Sequence, residues 1–153
     1  QCVIIDFARH VCGIKGANST EFDSKSSNPV IDLMESQKAI KVKGGTMRLG
    51  SYDCDIAPKT KASKIYKKKT ISERHRHRWE VNNRFVKKME SNGLVFSGMN
   101  KDLGVVEIIE LADHPWFIGC QFHPELKSRV DKAHPLFREF VKASLKEKKN
   151  VTK

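Results

Sequence analysis

His123-Pro124-Glu125 is a spacing that could hold a base beside the acid that orients it. The proline removes backbone freedom between the two side chains. Glu125 can then accept from one ring nitrogen of His123 and leave the other free. The tripeptide ends the run Pro115 to Phe122, which is short, aromatic-rich and uncharged, and so reads as a buried strand. A second dense group of reactive side chains is Glu73-Arg74-His75-Arg76-His77-Arg78-Trp79-Glu80. In extended form it puts Arg74, Arg76 and Arg78 on one face and His75 and His77 on the other. Three chemistries compete there. Zinc would use the two imidazoles but finds no third ligand nearby. A nucleic-acid patch would use the arginines, against the acidic brackets Glu73 and Glu80. Capture of a small carboxylate needs only one guanidinium, whose planar fork matches two oxygens.

These groups need elements to hold them. Val3, Phe7, Val11 and Ile14 recur at helical spacing in residues 1–14, widened by Ile4 and Ala8. That pattern starts on or just inside a helix with no capping residue before it, which leads us to expect sequence upstream. A polar turn at 16–22 sets Glu21 against Phe22. A short strand over 29–34 follows, then a polar excursion over 35–43. Gly44 to Gly50 opens a strand toward Ile56, with Met47 and Leu49 on one face. Residues 58–69 are basic, with a helical turn around Ile65 and Tyr66. Residues 83–92 read as a helix with Phe85, Val86 and Met89 inward, closed by Gly93. Strands over 94–99 and 105–110 form a hairpin. Finally, 135–147 reads as an amphipathic helix packing through Leu136, Phe137, Phe140, Val141 and Leu145. Strands mixed with helices indicate an α/β architecture.

At 153 residues and 39% hydrophobic, the chain is one domain's worth of sequence with enough apolar mass for a core. No apolar run approaches a membrane span. Cys2, Cys12, Cys54 and Cys120 show neither a C-x-x-C pair nor zinc-like spacing, so reduced, mostly buried thiols in a cytoplasmic protein are expected. The net charge of +11 is concentrated in 59–69 and 142–153. Apart from Tyr66, neither run interleaves aromatics as a base-stacking surface would, so solvated surface is expected and no nucleic-acid partner.

Asn-Ser-Thr-Glu-Phe, Gly-Gly-Thr-Met-Arg-Leu-Gly, Glu-Arg-His-Arg-His-Arg-Trp-Glu-Val-Asn and Gln-Phe-His-Pro-Glu occur here in that order. Together they resemble the C-terminal glutaminase domain of CTP synthases, a class I glutamine amidotransferase. The resemblance covers 1–142 and fades in the basic helix end and tail, 143–153. It implies an α/β class I amidotransferase-like fold with a mostly parallel central sheet flanked by helices, present here only in part. Trp79 stands where the family pattern leads us to expect tyrosine or phenylalanine.

The family nucleophile lies in an elbow reading Cys-Leu-Gly-Met-Gln, whose last residue matches Gln1. The nucleophile, the early strands and the glycine loop of the oxyanion hole are therefore expected upstream of Gln1. Cys2 and Cys12 lie on the following helix and are not substitutes. The resemblance implies His123 as general base and acid, and Glu125 as its orienting carboxylate. It also implies Glu21 on the α-ammonium of L-glutamine, Arg78 on its α-carboxylate, and Gln1 as a further hydrogen-bonding group. No metal or cofactor is expected in this domain. ATP and Mg2+ would serve a synthetase domain that aminates UTP to CTP, with GTP as activator and a homotetramer as the assembly. Two other readings remain. One is a γ-glutamyl peptidase-type hydrolase, against which the segments around Arg48 and Arg78 argue. The other is a non-catalytic nucleic-acid-binding or regulatory module.

Overall fold

The computed structural model describes residues 1–33 and 47–151, with side chains through residue 148. The polar excursion over 35–43 and the glycine pair at 44–45 lie outside the described residues. Helix α1 (Cys2–His10) leads into β1 (Ala17–Ser19) and β2 (Asn28–Leu33). Strand β3 (Arg48–Ile56), helix α2 (Lys61–Tyr66) and strand β4 (Thr70–His77) follow. Then come β5 (Trp79–Val81), a 3-10 turn (Asn83–Phe85) and α3 (Val86–Glu90). Strands β6 (Leu94–Asn100), β7 (Val105–Leu111) and β8 (Ile118–Cys120) complete the sheets. A 3-10 turn (Pro124–Leu126) and α4 (Pro135–Val151) end the described chain. Among the described residues, no helix is long and apolar enough to cross a membrane.

The strands form two sheets, ordered β1-β2-β5 and β4-β3-β6-β7-β8. Only the β1–β2 ladder is parallel. The other five ladders among the described residues are antiparallel, so the expected mostly parallel sheet is represented here by one pair. The reason is connection length. The four-residue turn between β6 and β7 can only reverse the chain, whereas a parallel neighbour needs a crossover. Strand β7 lies between β6 and the edge strand β8. It is buried on both faces, Ile109 joining the core under α1 and Ile108 the core under α2 and α4. Gly98 on β6 permits this close packing, because a Cβ there would stand 2.7 Å from both Cys54 Sγ and Ile108 Cγ1.

Three faces differ from the sequence-based expectation. On α1 the buried residues are Ile4, Ile5, Phe7 and Ala8, while Val3 and Val11 are exposed. The stripe is rotated because the 4-5-7-8 side is the one that meets β1 and β2. On β3 the even-numbered residues turn inward, so Arg48 is buried and Leu49 exposed. Two buried carboxylates, Glu80 and Glu107, take the guanidinium inside. On α4 only Leu136 of the five apolar residues is buried, and Phe137, Phe140, Val141 and Leu145 face outward. Helical periodicity says which side chains share a face but not what covers it. Strand β8 is also only three residues long and half-buried, since it lies at the sheet edge.

Local chemistry explains the best-defined ends. Thr60 and Ser63 form a capping box at the start of α2, and Lys67 closes it in a left-handed conformation. The carboxylate of Glu110, from β7, accepts from the amides of Lys61 and Ala62 at 2.7 Å each. Gly93 turns the chain out of α3 at φ +95°.

Candidate active site

The amide of Gln121 donates to the carbonyl of Glu107 at 2.9 Å, extending the β7–β8 pairing by one step. Two residues on, the amide of His123 donates instead to Arg74 on β4 at 2.8 Å. The strand tip thus bridges the two neighbours. Pro124 then starts the 3-10 turn that returns Glu125 toward the imidazole. His123 Nδ1 lies 2.6 Å from Glu125 Oε1. That hydrogen bond is the first cause holding the Glu125 carboxyl below the usual range, so the carboxylate accepts and Nδ1 donates. Nε2 is left as the basic nitrogen. The ring is half-buried, so it stays accessible.

The second wall comes from α1 and the turn after β1. Gln1 Nε2 donates to Ser19 Oγ at 2.9 Å and to Glu21 Oε2 at 2.7 Å. Ser19 is fully buried, and its Oγ also accepts from the Glu21 amide at 3.1 Å. Across from them stands Arg78. The strand alternation holds through His77, with Arg74 and Arg76 exposed and His75 buried. It ends there, one residue before Arg78. Arg78 occupies the break where the chain leaves β4 for β5 in the other sheet. Gln121 Nε2 donates to the Trp79 carbonyl at 2.9 Å and ties that break to the catalytic-looking strand.

Gln1, Glu21 and Arg78 line one cleft of about 270 Å³, with Arg76, His77, Trp79 and Gln121 beside them. This is near the lower end of small-molecule sites, which span ~300–1,000 Å³. The structure therefore brings the three expected substrate contacts together. His123 and Glu125 do not line this cleft; they sit just beyond Gln121, which does.

A buried ionic group behind the cleft was not read from the sequence. Arg48 Nη1 donates to Glu80 Oε1 at 3.2 Å, and Nη2 to Glu107 Oε1 at 2.5 Å. The guanidinium also lies 4.3 Å from the Tyr52 ring centroid. Burial pushes both glutamates up to about 7 even though Arg48 pulls them down. Burial likewise depresses His75 to about 3 and His77 to about 4, with Arg48 the next cause in each. Both imidazoles are neutral, and they meet each other at 2.9 Å. Among the described residues, no three His, Cys, Asp or Glu side chains are placed to hold a metal ion. The available signal was Glu107 inside Val-Val-Glu-Ile-Ile-Glu-Leu, where a carboxylate within a buried strand demands a partner. A separate buried carboxylate, Glu73, lies 3.0 Å from His134 Nε2 and anchors the start of α4 to β4.

Burial raises the thiols of Cys12, Cys54 and Cys120, the last two to about 12, so these are thiols near neutrality. Cys2 is exposed on α1.

Residues 1–143 match the family model described as glutamine amidotransferase class-I. The chain belongs to the class I glutamine amidotransferase family. Within that family it is similar to CTP synthases. The Chlorobium phaeobacteroides CTP synthase is 60% identical over 144 residues, covering 94% of this chain and 26% of that protein. The Caldanaerobacter subterraneus CTP synthase is 58% identical over 150 residues, covering 98% and 28%. The chain thus spans about a quarter of the length of these curated relatives. A solved structure, the Trypanosoma brucei CTPS glutaminase domain with bound acivicin, superposes with a TM-score of 0.88 at 32% identity. That match covers 95% of this chain and 57% of the other. The class I amidotransferase fold is therefore the fold of this chain, and its likeness is to the glutaminase part of CTP synthases.

Proposed function

We propose that this chain supplies the substrate cleft and the general base of a glutaminase that releases ammonia from L-glutamine. The observation that carries the reading is the cleft shared by Gln1, Glu21 and Arg78, with the His123–Glu125 pair at the tip of the adjoining strand. A free amino acid is a zwitterion. Glu21 presents an anion to its ammonium, and Arg78 offers a fork to its carboxylate. Gln1, already bonded to Glu21, orients that carboxylate.

The nucleophile in this reading is a cysteine upstream of Gln1, completing a Cys-His-Glu triad. His123 Nε2 takes the thiol proton, the thiolate attacks the side-chain amide, and a tetrahedral adduct forms. His123 then gives the proton to the departing nitrogen, leaving a glutamyl thioester and free ammonia. Water, deprotonated by His123 Nε2, attacks the thioester; the carbon–sulfur bond breaks, the leaving sulfur takes that proton back, and glutamate is released. Glu125 holds the imidazole by Nδ1 and stabilises its charged form throughout.

The ammonia is consumed by a synthetase domain that uses ATP and Mg2+ to convert UTP to CTP, in a cytoplasmic homotetramer activated by GTP. The basis for this part is the similarity to CTP synthases.

The test uses the intact protein. His123→Ala should lower glutamine-dependent CTP formation and glutamate release together by ~10²–10⁴. CTP formation supplied with ammonium salt should persist. Loss of both activities would make the strand tip a folding element, and undiminished glutamine use would refute the base assignment.

A further inference from the structure

Behind the cleft, four side chains from three strands run in a line. Glu107 Oε2 on β7 lies 3.4 Å from His75 Nε2 on β4. His75 Nδ1 lies 2.9 Å from His77 Nε2. His77 Nδ1 lies 3.4 Å from Glu80 Oε1 on β5. All four are buried or nearly so. The groups facing them are Arg48, Tyr52 and Cys54 from β3, and the Trp79 backbone from β5. The Phe122 ring and the His123 side chain approach from the strand tip.

This line has three contacts, and each one places two electronegative atoms face to face. A contact is favourable only with a proton in it. Two neutral imidazoles bring two protons. If both carboxyls are ionised, one contact is left with opposed lone pairs in a site closed to bulk solvent. Glu107 Oε2, His75 Nε2 and His77 Nδ1 are in fact buried atoms lacking a well-aligned hydrogen bond. The charge count agrees. One guanidinium against two carboxylates leaves an excess buried negative charge, which one proton cancels.

We propose that Glu107, His75, His77 and Glu80 form a buried chain holding one proton beyond those of its two imidazoles, and that this chain makes His77 a positioning residue of the substrate cleft. The proton comes from solvent and returns to it. With three protons every contact is filled, the tautomer of each ring is determined, and His77 stands fixed in the cleft wall beside Arg78. Both its nitrogens face inward, so His77 shows the ligand its ring and acts through the placement of Arg78. Glu80 and Glu107 titrate near neutrality, so the third proton leaves on the mildly alkaline side. One contact then turns repulsive and the wall loosens.

The role of His77 rests on the glutaminase reading; the proton count does not. Infrared difference spectra of the intact protein, between mildly acidic and mildly alkaline buffer, should show a buried protonated carboxyl disappearing. Either Glu107→Gln or Glu80→Gln should remove that band. A wild-type spectrum without such a carboxyl, or a band that survives in both variants, overturns the shared proton. The wild-type measurement decides even if the variants fail to fold. In glutamine kinetics, His77→Ala should raise KM about tenfold and change kcat less than about threefold. Wild-type KM should rise about threefold across the same pH interval, while Glu107→Gln, whose amide N–H cannot be titrated away, should show a flat profile. An unchanged KM in His77→Ala overturns the positioning role. If the wild-type protein hydrolyses no glutamine, the glutaminase reading fails and the spectra still decide the proton.

Discussion

Replacing Arg48 by methionine keeps much of its length and removes the only positive charge bonded to Glu80 and Glu107 among the described residues. Both carboxylates are nearly inaccessible, so water cannot take over. Their remaining escape is protonation. In the unfolded chain a glutamate ionises near 4.5, and burial has already brought these two to about 7. Keeping one such carboxyl neutral at neutral pH costs roughly 3 kcal/mol relative to the unfolded chain. The native protein bears much of that cost for one of them; the variant must bear it for both. Two charge-assisted hydrogen bonds vanish as well. The expected loss is ~3–5 kcal/mol, the usual range when one member of a buried ion group is removed.

The sign of the pH dependence follows. A carboxyl whose folded pKa is raised binds more protons folded than unfolded, so its contribution falls as pH rises. The Arg48→Met penalty should therefore grow between mildly acid and mildly alkaline pH, by up to ~1.4 kcal/mol per unit for each carboxyl. Native-state hydrogen exchange of the intact protein, read on peptides spanning β5 and β7, measures it locally. A loss below ~1 kcal/mol, or one that shrinks as pH rises, would refute the argument.

Arg78→Lys keeps the charge but loses the planar fork, and should weaken glutamine binding by ~1–3 kcal/mol, roughly 5- to 150-fold in KM. An unchanged KM would make Arg78 a structural residue. The pH profile of wild-type local stability should have two slopes on the acid side. His75 and His77, lowered from 6.5, favour the folded state more as pH rises toward 6.5, whereas the one proton shared by Glu80 and Glu107, both raised from 4.5, favours it less as pH rises from 4.5. Between those values one carboxyl proton offsets one of the two imidazoles, so exchange protection of β4 should fall gently as acid is added. Below about 4.5 only the histidines still distinguish the states, and the fall should steepen. Protection that rises on acidification from 6.5 to 4.5 would contradict it.

The sequence by itself determined what is decided within a few residues. His123 and Glu125 are two apart with a proline between them, so their contact depends mainly on local backbone. The alternation from Arg74 to His77, the hairpin of β6 and β7, and the Thr60–Ser63 cap are local in the same way. Residue type and period suffice for these, because the backbone itself relates neighbouring side chains.

Tertiary structure alone decided which faces are inside. Arg48 reads as surface until Glu80, 32 positions away, and Glu107, 59 away, are seen to receive it. The phase of α1 depended on which side β1 and β2 took. The outward face of α4 shows that an apolar stripe does not name its cover. Arg78 meets Gln1 and Glu21 because the chain changes sheets at that residue, between β4 and β5. The cost of burying a charge depends on the partner that meets it, and here those partners lie on strands that only folding brings together.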